Sequence, residues 1–255
     1  MASIQRLNMD NSWMLTIGGK RILIDPWLVG EEIDFFSWFN TQWHKTKPIE
    51  LDKIGNFDCV LITQKYPDHF HLETLKLLKP AHLLVPESIA IRVSKEFPMA
   101  IVNGMGGKLK SFTLDNLRFD WLNTSRKIDP IYDAVVVSTK SESVFIASHG
   151  FTISTTQLSQ ISSFPPFKLL ICPFNLYKLP FFLGSVVSPG ITSLENLVCQ
   201  LNPSHFVATH DEDKHAKGLV TKLAKVIRCN KKDLESKPML YDKCLEINHY
   251  NPIEL

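Results

Sequence analysis

The sequence has no long hydrophobic run, no paired cysteine motif and almost no net charge, and each lack removes a class of protein. No uninterrupted apolar stretch approaches the roughly 20 residues that cross a bilayer as a helix, so no transmembrane segment is expected. Residues 1–13 carry neither an apolar signal-peptide core nor an Arg-rich amphipathic pattern. The five cysteines (Cys59, Cys172, Cys199, Cys229 and Cys244) are odd in number, show no CxxC spacing and lie mostly among apolar residues. They read as reduced, buried thiols, which makes the location expected from them cytoplasmic. With 28 basic against 26 acidic residues, the charge of +2 is too balanced to suggest nucleic acid or an anionic membrane as the main partner. No low-complexity linker or short repeat interrupts the chain, so a single domain over residues 1–255 is expected.

What is present is an ordinary globular composition, 44% hydrophobic over 255 residues, enough to build a core without a structural metal or disulfide. Apolar runs at 13–17 and 21–24 flank Gly18-Gly19, a two-residue hairpin signal. The run 59–63 suits a strand covered on both faces, and Leu72, Leu75 and Leu78 follow at helical spacing until Pro80. Further strands are expected at 83–85, 100–102, 109–112, 117–122, 134–139, 144–147, 169–172 and 205–209. Helices are expected at 87–97, 193–201 and 217–228, the last with Leu219, Leu223 and Ile227 on one stripe. A hairpin followed by strand–helix alternation implies an α/β (α+β) fold with mixed sheets and helices outside. Ligands gather where loops leave the carboxyl ends of strands, which singles out residues 64–71, 148–151 and 210–215.

The first of these loops reads Thr63-Gln64-Lys65-Tyr66-Pro67-Asp68-His69-Phe70-His71. Taken alone, Asp68-His69 ahead of a helix is an N-terminal cap, since Asp accepts backbone N–H bonds there. The wider order is Ile24-Asp25-Pro26-Trp27-Leu28, a strand, Asp68-His69 opening a helix, and a late strand ending in Thr209-His210. Across residues 4–215 this order resembles the metallo-β-lactamase superfamily, most closely the branch similar to ascorbate-phosphate lactonases. The resemblance implies a four-layer αββα sandwich and a metal-dependent hydrolase. It also implies metal ligation by Asp68, His69 and His210, at the positions of the family's second metal.

Against the HxHxDH signature of that family, Gln64 and Tyr66 stand at the two leading histidine positions. No middle histidine is present near Asn123 and Thr124, and Ser148-His149-Gly150 replaces Asp-Thr-Gly. A neutral amide and a phenol of pKa about 10 are poor ligands for a first-row divalent ion. One metal is therefore expected, zinc by preference, with iron or manganese also suited to two imidazoles and one carboxylate. Asp68, His71, His149 and Tyr66 are the candidate catalytic groups. Asp25 is expected to fix a turn or to orient a ligand.

The alternative reading keeps the fold without hydrolysis, as a binding or scaffold module with a degenerate site. Residues 164–189, rich in Phe and Pro, suit an apolar lid for a substrate with an apolar part, or else a buried loop or a dimer contact, so a homo-oligomer is left open. The partner expected otherwise is a small-molecule substrate, with no nucleic acid.

Overall fold

The computed structural model describes residues 2–124 and 132–255. The chain forms two compact units. One comprises Met1–Lys110, Glu212–Lys222 and Asn248–Glu254, and the other Ser111–Asp211 with Leu223–Ile247.

The first unit is built on β1 (Ser3–Arg6), β2 (Trp13–Ile17), β3 (Lys20–Ile24), β4 (Cys59–Leu61), β5 (His82–Pro86) and β6 (Ile101–Met105). They pair side by side in that order, and the strand Ile253–Glu254 adds to the β1 edge. β1, β2 and β3 run antiparallel, whereas β3, β4, β5 and β6 are parallel. Gly18 and Gly19, at φ 59° and 77°, make the tight β2–β3 turn that their lack of Cβ permits. Parallel neighbours need crossovers, which α1 (Leu72–Leu78) and α2 (Glu87–Glu96) supply. Leu75, Ile89 and Val93 of these helices pack on Leu23, Val60, Leu83 and Val85. The alternate residues Ile22, Leu61 and Leu84 are fully buried as well, as strands covered on both faces require. A small sheet of Glu32–Asp34, Asn40–Trp43 and His215–Lys217 completes the unit.

The second unit repeats the scheme with β7 (Ser111–Leu114), β8 (Leu117–Leu122), β9 (Ala134–Ser138), β10 (Ser143–Ile146), β11 (Phe167–Pro173), β12 (His205–Thr209) and β13 (Cys244–Leu245). β7 to β10 form an antiparallel meander, and β10, β11, β12 and β13 are parallel. Crossover helices α3 (Thr155–Ser162) and α4 (Ile191–Leu201) bring Ile161, Leu194, Leu197 and Leu201 onto Phe145, Leu170 and Phe206. Among the described residues no helix is long and apolar enough to cross a membrane.

One expectation is corrected. The helix expected at 217–228 is only Leu219–Leu223, and Lys225–Ile227 is a strand paired with Leu176–Lys178. Gly218 at φ 117° sets where the helix begins, and the β-branched Val226 and Ile227 prefer the sheet edge. Residues 164–189 divide between roles. Phe167 and Phe174 belong to the core, while Phe181 and Phe182 form an exposed 3-10 turn at 87% and 66% exposure.

Candidate functional site

The chemistry-bearing residues form one cluster in each unit. In the first unit the cluster grows from the carboxyl ends of β3 and β4. Asp25 follows β3 with φ 46°, a left-handed turn that aspartate tolerates better than most residues. One of its carboxylate oxygens accepts from the Thr63 backbone N–H at 2.7 Å, and the other from the Thr63 hydroxyl at 2.5 Å. That second oxygen lies 2.8 Å from Nδ1 of His69, which is wholly buried. A carboxylate can only accept from this ring nitrogen, so Nδ1 carries a proton and, in the neutral ring, Nε2 holds the lone pair. Burial opposes a charge on His69, but Asp68 and Asp25 outweigh it and raise its pKa above the ordinary value. His69 Nε2 lies 3.8 Å from a carboxylate oxygen of Asp68.

Asp68 is not the helix cap. His71 caps α1 instead: its Nδ1 accepts from the Thr74 N–H at 3.3 Å and lies 2.9 Å from the Thr74 hydroxyl, while Nε2 faces the Glu31 carbonyl at 3.3 Å. Burial lowers the pKa of His71, in keeping with a neutral ring that accepts at one nitrogen and donates at the other. The loop 8–12 holds Asp68 from behind. The Asn8 side-chain oxygen accepts from the N–H groups of Asp10, Asn11 and Ser12, each at 2.9 Å, and Asn11 donates to the Asp68 carbonyl at 2.7 Å. Carboxylate oxygens of Asp10 and Asp68 come within 4.8 Å of each other. Gln64 and Tyr66 lie on the same loop. Gln64 is buried, and the Tyr66 carbonyl accepts from the N–H groups of His69 and Phe70 to close the turn.

Sequence reasoning missed the charges around this loop. Lys214 places its ammonium 2.7 Å from Asp10 and 5.3 Å from the Trp27 ring centre. Glu32 is 1% exposed, and neither of its carboxyl oxygens has a hydrogen-bond partner among the described residues. Its pKa is pushed up to about 9 by burial first, then by Asp34 and Asp68. Burial and Asp68 raise Asp34 to about 6. The only signal in the sequence was the acidic run Asp211-Glu212-Asp213 ahead of Lys214, which reads equally as a solvated turn. Glu212 is instead buried against His44, 2.6 Å from its Nδ1.

In the second unit β10 and β12 flank β11 in parallel, so the loops that follow them leave the same sheet edge. This brings His149 and His210 together, with ring centres 4.6 Å apart. Gly150 at φ 86° turns the chain directly after His149, and a Cβ there would meet Pro189 and Ser193 at 2.9 Å. His210 itself has φ 54°, and its carbonyl accepts from the Asn175 side chain at 3.0 Å.

Residues 7–155, more than half of the chain, match the family described as the beta-lactamase superfamily domain. The chain belongs to this family. Solved structures of the fold superpose over nearly its whole length. An isothiocyanate hydrolase from Delia radicum gut bacteria matches with a TM-score of 0.67 at 14% identity, over 99% of this chain and 98% of that one. A possible metal-dependent hydrolase from Veillonella parvula gives 0.69 at 14% identity, over 100% and 98%. The metallo hydrolase Igni18 from Ignicoccus hospitalis gives 0.66 at 15% identity, over 99% and 98%. No curated protein matches the sequence significantly. At these identities the structures show the fold alone, an α/β chain of metallo-β-lactamase type with two large mixed sheets.

For a member of this family the donor chemistry fits a divalent metal. His69 is fixed by Asp25 in the tautomer that leaves one nitrogen available, the carboxylate–histidine arrangement that supports metal ligation. His149 adds an imidazole at the strand end where the resemblance led one to look for an aspartate.

Proposed function

We propose that the chain is a metal-dependent hydrolase of one domain over residues 1–255. As the family resemblance implies, Asp68, His69 and His210 hold one divalent cation, zinc by preference. The observation that carries this reading is the Asp25–His69 pair. A buried carboxylate spent on aiming an imidazole is costly unless that imidazole has a ligand to serve. When bound, such a cation supplies Lewis acidity toward an ester, lactone or phosphoester.

The protein's own groups then have separate duties. Asp25 and Thr63 keep His69 in one tautomer. His149, 7% exposed and with its ring tilted against that of His210, is the group to move a proton, and Tyr66 is the second candidate. His71, engaged at both ring nitrogens, serves the α1 cap. A small-molecule substrate and a cytoplasmic location complete the reading.

Gln64, Tyr66 and Ser148-His149-Gly150 favour the second reading, a binding module that retains the fold without turnover. The test is hydrolysis of a panel of lactones, carboxylic esters and phosphodiesters by metal-replete protein. Turnover abolished by EDTA and by Asp68→Ala supports the hydrolase. Binding of a panel member with no turnover at any metal loading leaves the binding module.

A further inference from the structure

The acidic cluster of the first unit holds more negative charge than one metal at Asp68 accounts for. Asp10 and Glu32 are each 1% exposed, and Asp34 and Asp68 stand close enough to raise the pKa of Glu32. Burying carboxylates together is expensive unless positive charge lies among them. In this cluster that charge is Lys214. The small sheet explains how it gets there. Lys214 directly precedes the strand His215–Lys217, where Ala216 pairs with Gln42, and Gln42 pairs with Glu32 on the next strand. Burial opposes the charge on this lysine, yet Asp10, Asp68 and Glu32 more than compensate and hold its pKa above the ordinary value. An ammonium is a compact point charge on a flexible stem, which suits an inward-facing group of carboxylates.

We propose that the Lys214 ammonium is a resident counter-cation for Asp10 and Asp68, supplying the positive charge that a second divalent ion would otherwise provide and so limiting this chain to one. Three observations converge on it. Lys214 contacts Asp10 at 2.7 Å, and Asp10 in turn lies within 4.8 Å of Asp68. The buried Glu32 carboxyl, neither of whose oxygens has a hydrogen-bond partner among the described residues, is a further oxygen donor that the ammonium leaves unused. In the sequence, Gln64 and Tyr66 are neutral where a second set of metal ligands would be needed. Loss of one metal and gain of an internal ammonium are two sides of one electrostatic balance. The all-oxygen donor set left behind when the lysine is neutralised suits a hard cation such as Mn2+.

The test is the Mn2+ stoichiometry of the full chain at pH 8, by equilibrium dialysis and elemental analysis, for wild type, Lys214→Met, Lys214→Arg and Lys214→Met with Glu32→Gln. Lys214→Met is expected to bind about one equivalent more than wild type. Lys214→Arg keeps the wild-type count, and the double variant loses the added equivalent. A folded Lys214→Met protein with the wild-type count overturns the proposal. If Lys214→Met is unfolded without metal, the proposal requires millimolar Mn2+ to restore the fold with a concentration-dependent midpoint, and failure to do so overturns it. The increment over wild type is read separately from the wild-type count, so a wild type that binds no metal removes the hydrolase reading and leaves this one still decided by the increment.

Discussion

Replacing Glu32 by Gln should remove a pH dependence from the stability of the apoprotein. The Glu32 carboxyl has an ordinary pKa of 4.5 when solvated and about 9 in the fold, because burial and the neighbouring Asp34 and Asp68 disfavour its charge. The folded state therefore holds a proton that the unfolded chain has released, and stability falls as pH rises between those two values. Between pH 6.5 and 8.5 the loss from this one group is about 2.5 kcal/mol, one proton over nearly two pH units at about 1.4 kcal/mol each. The window lies above the Asp34 pKa, raised to about 6, so Asp34 contributes little slope there. Glutamine keeps the shape and carries no proton to lose.

In urea titrations with EDTA, followed by tryptophan fluorescence, the midpoint of Glu32→Gln should therefore gain on wild type by about 1 M across the window. Four of the five tryptophans (Trp13, Trp27, Trp38 and Trp43) lie in the first unit and report on it directly. Parallel pH profiles for the two proteins would refute the reasoning, for they would mean that the Glu32 carboxyl is solvated or paired in solution.

Other expectations concern the pieces that position the ligands. Asp25→Ala removes the carboxylate that Thr63 and His69 share and should cost about 3–5 kcal/mol in denaturant unfolding, and metal affinity should fall about 10–100-fold by dialysis. His71→Ala loses the α1 cap and should cost about 1 kcal/mol at pH 8. The folded pKa of His71 is depressed, so this contribution is present above about pH 6.5 and is lost as pH falls through the folded value; the wild-type and variant unfolding curves should then converge in acid. Gly150→Ala places a Cβ against Pro189 at a positive φ and should destabilise by about 2 kcal/mol or more, again read by denaturant unfolding. Phe181→Ser with Phe182→Ser, at an exposed turn, should stay within about 0.5 kcal/mol of wild type in the same assay.

Much of the fold was legible because its signals are local. Gly18-Gly19 announces a hairpin, and β8 (Leu117–Leu122) and β12 (His205–Thr209) coincide with their apolar runs. The segment 217–228 misled because its leucine spacing fits a helix, while Gly218, Val226 and Ile227 act through backbone freedom and sheet pairing that spacing does not encode. In the candidate site, Asp25 was legible from Ile-Asp-Pro at a strand end. His149 was visible only as a spare imidazole, because its nearness to His210 depends on β10 and β12 sharing one neighbour. Glu32 and Lys214 were invisible. They are about 180 residues apart in sequence, and only the pairing of the small sheet's strands brings them to one cluster. The Asp-His pair was open to reading as a cap until His71 took that position in the structure.

Cobalt titration of metal-free protein tests the ligand set proposed above, Asp68, His69 and His210, most directly, because visible absorption of Co2+ reports the donors around it. A single equivalent should bind with intense bands of low coordination number, and those bands should vanish in His69→Ala and equally in His210→Ala. No bands at all, or bands that survive in His210→Ala, would contradict the proposed ligand set.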